Sequence, residues 1–184
     1  YNGVIETDGA LFQVTDVQKD KAGKYLHYGV MDHGTLEVEQ KVSCIVDRER
    51  RDAISRAHSA THLLQAALQT VLGDHVHQAG SLNTPDHLPF DFPHFSAITE
   101  EEIKAITEYV NDAILEGLPI TTKVMGIDEA KKEGAMALFG EKYGDTVRVV
   151  SMGDISKELC GGTHLTNTAK IGSFTIVSEG SVAS

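Results

Sequence analysis

The sequence predicts an α+β fold: a mixed antiparallel sheet with packed helices, preceded by a strand-rich segment like a partial β-barrel. Three observations lead there. Residues 1–47 carry short runs in which apolar and polar side chains alternate. Two later stretches change to helical spacing. The short apolar runs around and after those helices show no regular strand–helix–strand repeat, which argues against a parallel, doubly wound sheet.

The elements follow in order. The opening polar residues are strand-like, and Leu11–Val17 and Tyr25–Val30 read as further strands. Leu36, Val38, Val42, Cys44 and Val46 alternate along another, which reads Cys44 as a buried core thiol. Asp8-Gly9, Ala22-Gly23 and His33-Gly34 mark the turns. From Arg48 to Leu72, the positions Ile54, Ala57, Thr61, Leu64, Leu68 and Val71 share one helical face, and Gly73 is the natural stop. Pro85, Pro89 and Pro93 exclude a helix over 74–98, leaving loop and strand. Thr99 followed by Glu102 is a capping box, opening a helix through Ile103, Ile106, Val110 and Ile114 that Gly117 and Pro119 end. Ile120–Met125 reads as a strand and Asp128–Glu133 as a short helix; Val147–Val150 and Phe174–Val177 read as strands. The organisation expected is a strand-rich segment over 1–47 and a core over 48–184.

Composition narrows the function. With 184 residues and 41% apolar content the chain can bury a core, and no run of about eighteen apolar residues suggests a membrane span. No secretory leader is visible, and two widely separated cysteines, Cys44 and Cys160, fit a reducing cytoplasm better than a disulfide framework. The net charge of −11 argues against an autonomous, tight nucleic-acid binder, although not against a module whose substrate is delivered by neighbouring domains. Tyr1 in place of an initiator Met leads to the expectation of a piece of a longer protein.

Two motifs carry chemistry. In His58-Ser59-Ala60-Thr61-His62 the histidines lie one helical turn apart, so both imidazoles can reach one ion. In Cys160-Gly161-Gly162-Thr163-His164 the glycines let the backbone turn until thiolate and imidazole converge. Either motif alone is common, and a plain surface or core role competes with it. Together they make three imidazoles and a thiolate, a sound tetrahedral zinc set. Ser59 stands where a zinc peptidase places its glutamate, so peptidase chemistry is disfavoured. Four protein ligands fit a structural site; a catalytic one needs an exchangeable position. His75 and His77 have no evident third partner and read as ordinary polar residues. Arg48, Arg50, Arg51 and Arg56 interleave with Asp47, Glu49 and Asp52, and read as a mixed-charge surface before a phosphate-binding patch.

These two motifs resemble the paired metal motifs of alanyl-tRNA synthetase editing domains, with relatives in threonyl-tRNA synthetase and in free-standing alanyl-tRNA editing proteins. Gln78–Leu82, Phe90–Phe92, Gly134–Tyr143 and Ser151–Asp154 make the likeness specific to the bacterial alanyl enzyme. The resemblance implies hydrolysis of the ester joining serine or glycine to the 3′ end of tRNA for alanine. It implies Zn2+ held by His58, His62, Cys160 and His164, with Thr61, Gln78 and Ser81 lining the amino-acid pocket. In that reading Cys160 is a ligand rather than a nucleophile, and the Gly161 and Gly162 amides face the developing oxyanion. The partners implied are tRNA and the other domains of the full-length synthetase, not DNA or a membrane. Ligase activity, ATP binding and tRNA selection are not expected of this piece. Pro89, where a basic residue is common, and Ala169, where glycine is usual, depart from the pattern. Two other readings stand beside this one: a free-standing trans-editing protein, and an inert, zinc-stabilised tRNA-binding module.

Overall fold

The computed structural model describes residues 2–81, 83–137 and 143–181. The chain divides into two compact units, Tyr1–Ala53 and Ile54–Ser184.

The first unit is an open antiparallel sheet of β1 (Gly3–Thr7), β2 (Ala10–Lys19), β3 (Tyr25–His33) and β4 (Ser43–Val46), in spatial order β3-β2-β1-β4. The turn between β2 and β3 is held by Asp20, whose Oδ1 accepts from the amides of Ala22 and Lys24, both at 2.8 Å. Two register shifts, at Leu11/Phe12 and Val14/Asp16, break the β2–β3 ladder and add local twist. The strand expected through Leu36 and Val38 shrinks to β4. Glu39 takes a left-handed backbone (φ 66°), and the Gln40 amide turns back to the Glu37 carbonyl, so the chain folds on itself before pairing. Cys44 is exposed rather than buried: the alternation is present, but its face of the sheet is uncovered.

The second unit is built on α1 (Arg48–Leu72) from Ile54 onward, α2 (Glu100–Glu116) and a three-stranded antiparallel sheet of β7 (Ile120–Gly126), β8 (Thr146–Met152) and β9 (Ser156–Leu159), in that order. Between α1 and α2 a two-residue ladder joins β5 (Gly80–Ser81) to β6 (Phe90–Asp91), and α3 (Ile127–Lys132) follows β7. The capping box at Thr99 forms as expected, with Glu102 reaching back to the Thr99 amide at 2.8 Å. Such a cap contributes about 1 kcal/mol. Gly117 closes α2 in the left-handed conformation (φ 67°), which side-chain-bearing residues rarely adopt.

Both faces of β8 are covered. Val150 and Met152 join Leu63, Leu64, Ala67 and Leu68 of α1 and Ile106, Val110 and Ile114 of α2 in the main core. Val147 and Val149 join Met125, Ala130 and Leu159 in a smaller one. β9 is a short strand that its polar content hides in the sequence.

Phe174–Val177, expected as a strand, belongs to no strand. The Asn111 side chain of α2 accepts from the Phe174 amide and donates to its carbonyl, both at 2.9 Å, replacing a neighbouring strand at that residue. Leu82 and residues 138–142, which belong to two of the resemblance segments, lie outside the described residues.

Candidate metal centre

The centre joins one turn of α1 to the chain just beyond β9. On α1 the buried run Ser59–Leu68 seats the helix in the core, which leaves His62 buried and His58 half-buried one turn earlier. In β9, Leu159 lies opposite Val149 and Glu158 opposite Val150. Alternation therefore aims Glu158 toward the core that α1 shares. The Cys160 amide extends the ladder by donating to the Arg148 carbonyl at 2.9 Å, carrying Cys160 to the helix.

Arg148 then shapes the turn that follows. Its Nη1 donates to the Cys160 carbonyl at 3.1 Å and to the Gly162 carbonyl. A β-carbon at Gly162 would collide with the His58 imidazole, so a glycine here is a packing requirement of the centre. The Gly162 amide, expected to face an oxyanion, points to Cys160 Sγ at 3.4 Å, where it favours thiolate.

Cys160 Sγ lies 3.4 Å from His58 Nε2 and 3.3 Å from His164 Nε2, and one donor atom from each of His58, His62, Cys160 and His164 falls within 4.8 Å of the others. Tetrahedral bonds of about 2.0–2.1 Å to nitrogen and about 2.3 Å to sulfur separate neighbouring donors by roughly 3.3–3.6 Å. The sulfur–nitrogen distances match that edge length, and the donor set suits a borderline-soft divalent ion.

Two of the imidazoles have a hydrogen-bond partner, and the third stands beside a carboxyl group. His62 Nδ1 lies 3.2 Å from Glu158 Oε2, an approach too oblique to count as a formed hydrogen bond. His164 Nδ1 lies 3.2 Å from Ser59 Oγ, which also accepts from the Leu165 amide at 3.1 Å. His58 has a backbone hydrogen bond with Thr163. Such partners fix the tautomer and direction of a metal-binding ring.

The electrostatics agree with neutral ligands. Burial first, and then the neighbouring His58, push His62 down to about 3. Burial, then His62, His58 and Arg148, push His164 down to about 2. His58 is lowered by burial and by Arg148, against the opposing effect of Thr163. Burial raises the Glu158 carboxyl to about 8. Neutral imidazole is the metal-binding form, so the protein holds these rings ready for an ion.

The residues expected to line an amino-acid pocket bond to one short segment. Gln78 Nε2 donates to Ser81 Oγ. Thr61 Oγ1 lies 2.9 Å from the Ala57 carbonyl and 2.7 Å from Oδ1 of Asn83, two residues beyond Ser81. His75 is set apart from the centre, with its Nε2 2.9 Å from His94 Nδ1. Among the described residues only the four ligand candidates form a metal-capable group. Motif spacing alone does not assign Ser59, Arg148 and Glu158 to this centre. Glu158 gives only a partial signal, a carboxylate two places before the motif cysteine, because its direction depends on β9.

Fold and site together define an α+β domain with a four-donor His/Cys centre able to hold a metal ion. The profile of the Threonyl and Alanyl tRNA synthetase second additional domain matches residues 147–184. The chain is 56% identical over 182 residues to an alanine–tRNA ligase of Acetivibrio thermocellus, covering 99% of this chain and 21% of that protein. It is 54% identical to the alanine–tRNA ligase of Clostridioides difficile and 53% to alanine–tRNA ligase 1 of Lachnoclostridium phytofermentans, each over 98% of this chain and 21% of the relative. The chain belongs to the alanyl-tRNA synthetase family, and it spans about a fifth of the length of these relatives.

Proposed function

We propose that this chain is the editing part of an alanyl-tRNA synthetase, hydrolysing the ester that links serine or glycine to the 3′ end of tRNA for alanine. The observation that carries the reading is the convergence of His58, His62, Cys160 and His164, from segments about a hundred residues apart, in a chain matched by alanine–tRNA ligases. The need for such a reaction follows from chemistry. A synthetic pocket shaped for alanine admits glycine, and it rejects serine's added hydroxyl by only about a hundredfold.

The four donors would hold Zn2+. When bound, the ion would supply Lewis acidity to fix the substrate or polarise water beside the ester. The residues of the chain perform the remaining tasks. Ser59 and Thr163 orient two of the imidazoles, and Glu158 stands 3.2 Å from the third. Arg148 holds the Cys160–Gly162 turn in place by its two carbonyl contacts. The Gly162 amide supports the Cys160 thiolate, which casts Cys160 as a ligand and leaves the Gly161 amide as the proposed oxyanion donor. Thr61, Gln78 and Ser81 are assigned to recognition of the amino acid.

A complete set of four protein donors also suits a structural ion in an inert tRNA-binding module. Deacylation separates the two readings. Purified tRNA for alanine carrying serine, glycine or alanine is incubated with the zinc-loaded chain, and the remaining ester is followed. Release of serine and glycine with retention of alanine is the expected result. Zinc bound with no release above buffer would leave the inert module.

A further inference from the structure

A small cavity beside Glu158, the neighbour of His62, is lined by Gln65, His77, Gln78, Met136, Ala137, Glu158 and Leu159. Its volume is about 20 Å³, room for one water-sized group. Gln65 lies one turn beyond Thr61 on α1 and is 2% exposed. Its Nε2 donates to the Val76 carbonyl at 3.0 Å, which fixes the orientation of the amide. Reversing the amide would set two acceptors against each other. Gln65 Oε1 is therefore turned away from Val76, and among the described residues this buried acceptor has no partner. An unsatisfied buried acceptor is costly, and one beside a binding site is a candidate for a ligand's donor. Gln78, whose Nε2 donates to Ser81 Oγ, and Glu158 line the same cavity. The apolar contacts of Met136, Ala137 and Leu159 limit what enters to a short group.

We propose that Gln65 is a specificity-determining residue of this site, its Oε1 accepting a hydrogen bond from the side-chain hydroxyl of a seryl ester in the cavity it shares with Gln78 and Glu158. The inference rests on the editing reading above and names the part of the site that recognises serine. Serine brings the donor that Gln65 lacks. Glycine has no side chain to place there, so its hydrolysis is independent of Gln65. Alanine's methyl brings no donor.

The test uses the zinc-loaded chain and two non-hydrolysable probes, the seryl and glycyl amides of 3′-amino-3′-deoxyadenosine, with binding measured by calorimetry. Gln65→Met keeps the length of the side chain and removes the acceptor. The Val76 carbonyl keeps its bond from Gln69 at 2.8 Å, so the variant leaves no new orphan in the backbone. The expected result is a loss of roughly 5- to 150-fold in affinity for the seryl probe, with the glycyl probe changed by less than about twofold. Gln65→Glu retains an acceptor oxygen and, when its carboxyl is protonated and can still donate to the Val76 carbonyl, is expected to recover part of the loss. Zinc content and thermal unfolding report whether each variant is folded. Equal losses for both probes would make Gln65 a structural residue, and no loss for either would remove it from recognition; both overturn the proposal. Wild-type protein that deacylates seryl-tRNA while Gln65→Met keeps the seryl preference defeats this inference alone. Wild-type protein that neither binds the seryl probe nor releases serine defeats the editing reading and this inference with it.

Discussion

The two units use the same alternation rule with opposite results. In the Tyr1–Ala53 sheet, apolar side chains sit in alternating strands, yet Tyr25, Tyr28, Val30 and Ile45 are all exposed. Ala10 and Val14 are its buried apolar residues. In the Ile54–Ser184 unit, β8 alternates as well, and helices or a second cluster cover both of its faces. Periodicity tells which residues share a face; it does not tell whether anything lies on that face. The metal-capable centre belongs to the covered unit, and there is a physical reason. Four donors must be held within fractions of an ångström of their working positions, and only packed side chains with locked rotamers hold that well.

The largest expected effect tests whether the centre is the chemical part of the molecule. Cys160→Ala removes the sulfur that approaches two of the three imidazoles. Stoichiometric zinc should be lost on dialysis and deacylation should fall to the buffer rate, with metal content measured by mass spectrometry on the same sample. Full activity in the metal-free variant would separate the centre from the reaction. A smaller effect tests the contrast between the units. Leu63, at 0% exposure, should cost about 2–5 kcal/mol when replaced by Ala. Val30, at 67% exposure, should change stability by less than about 0.5 kcal/mol when replaced by Thr. Urea titrations of the two variants provide the comparison. Similar costs would mean that the face of the sheet carrying Val30 is covered in solution.

Much of this arrangement was readable from residue order, and the pattern of what was not is instructive. α1 and α2 have local signals at their ends, Gly73 for one and the Thr99 and Glu102 box with Gly117 for the other. The two metal motifs were legible because spacing of four on a helix and a glycine pair in a turn each have a direct geometric meaning. What escaped depended on long-range partners. Ser156–Leu159 is a strand because β8 pairs with it, while Phe174 is held by a side-chain amide 63 residues away. Glu158 could not be assigned to His62 until β9 was known, because its direction is a property of that strand. Cys44 shows the same limit from the other side: its alternation was correct and its burial was not.

Glu158 offers the finest test, because its effect should change sign with the metal. In the metal-free protein, burial raises this carboxyl to about 8, so the fold keeps a proton that the unfolded chain releases near 4.5. Stability from this group is complete below about 4.5 and is lost as pH rises toward 8. His62 works in the opposite direction: lowered to about 3, it costs stability as pH falls below its ordinary 6.5. Glu158→Gln removes the first trend and leaves the second. With chelator present, the variant should therefore gain on the wild type steadily between pH 5 and 8, as read from denaturant midpoints. With zinc present, the order should reverse at pH 7. The carboxylate supports His62 from 3.2 Å and balances the ion's charge, and losing it should weaken zinc roughly 10-fold in competition with a chelating indicator. A variant with unchanged zinc affinity would reduce the Glu158 contact to packing, and one that destabilised the metal-free protein at pH 8 would show that the carboxyl is ionised there despite its burial.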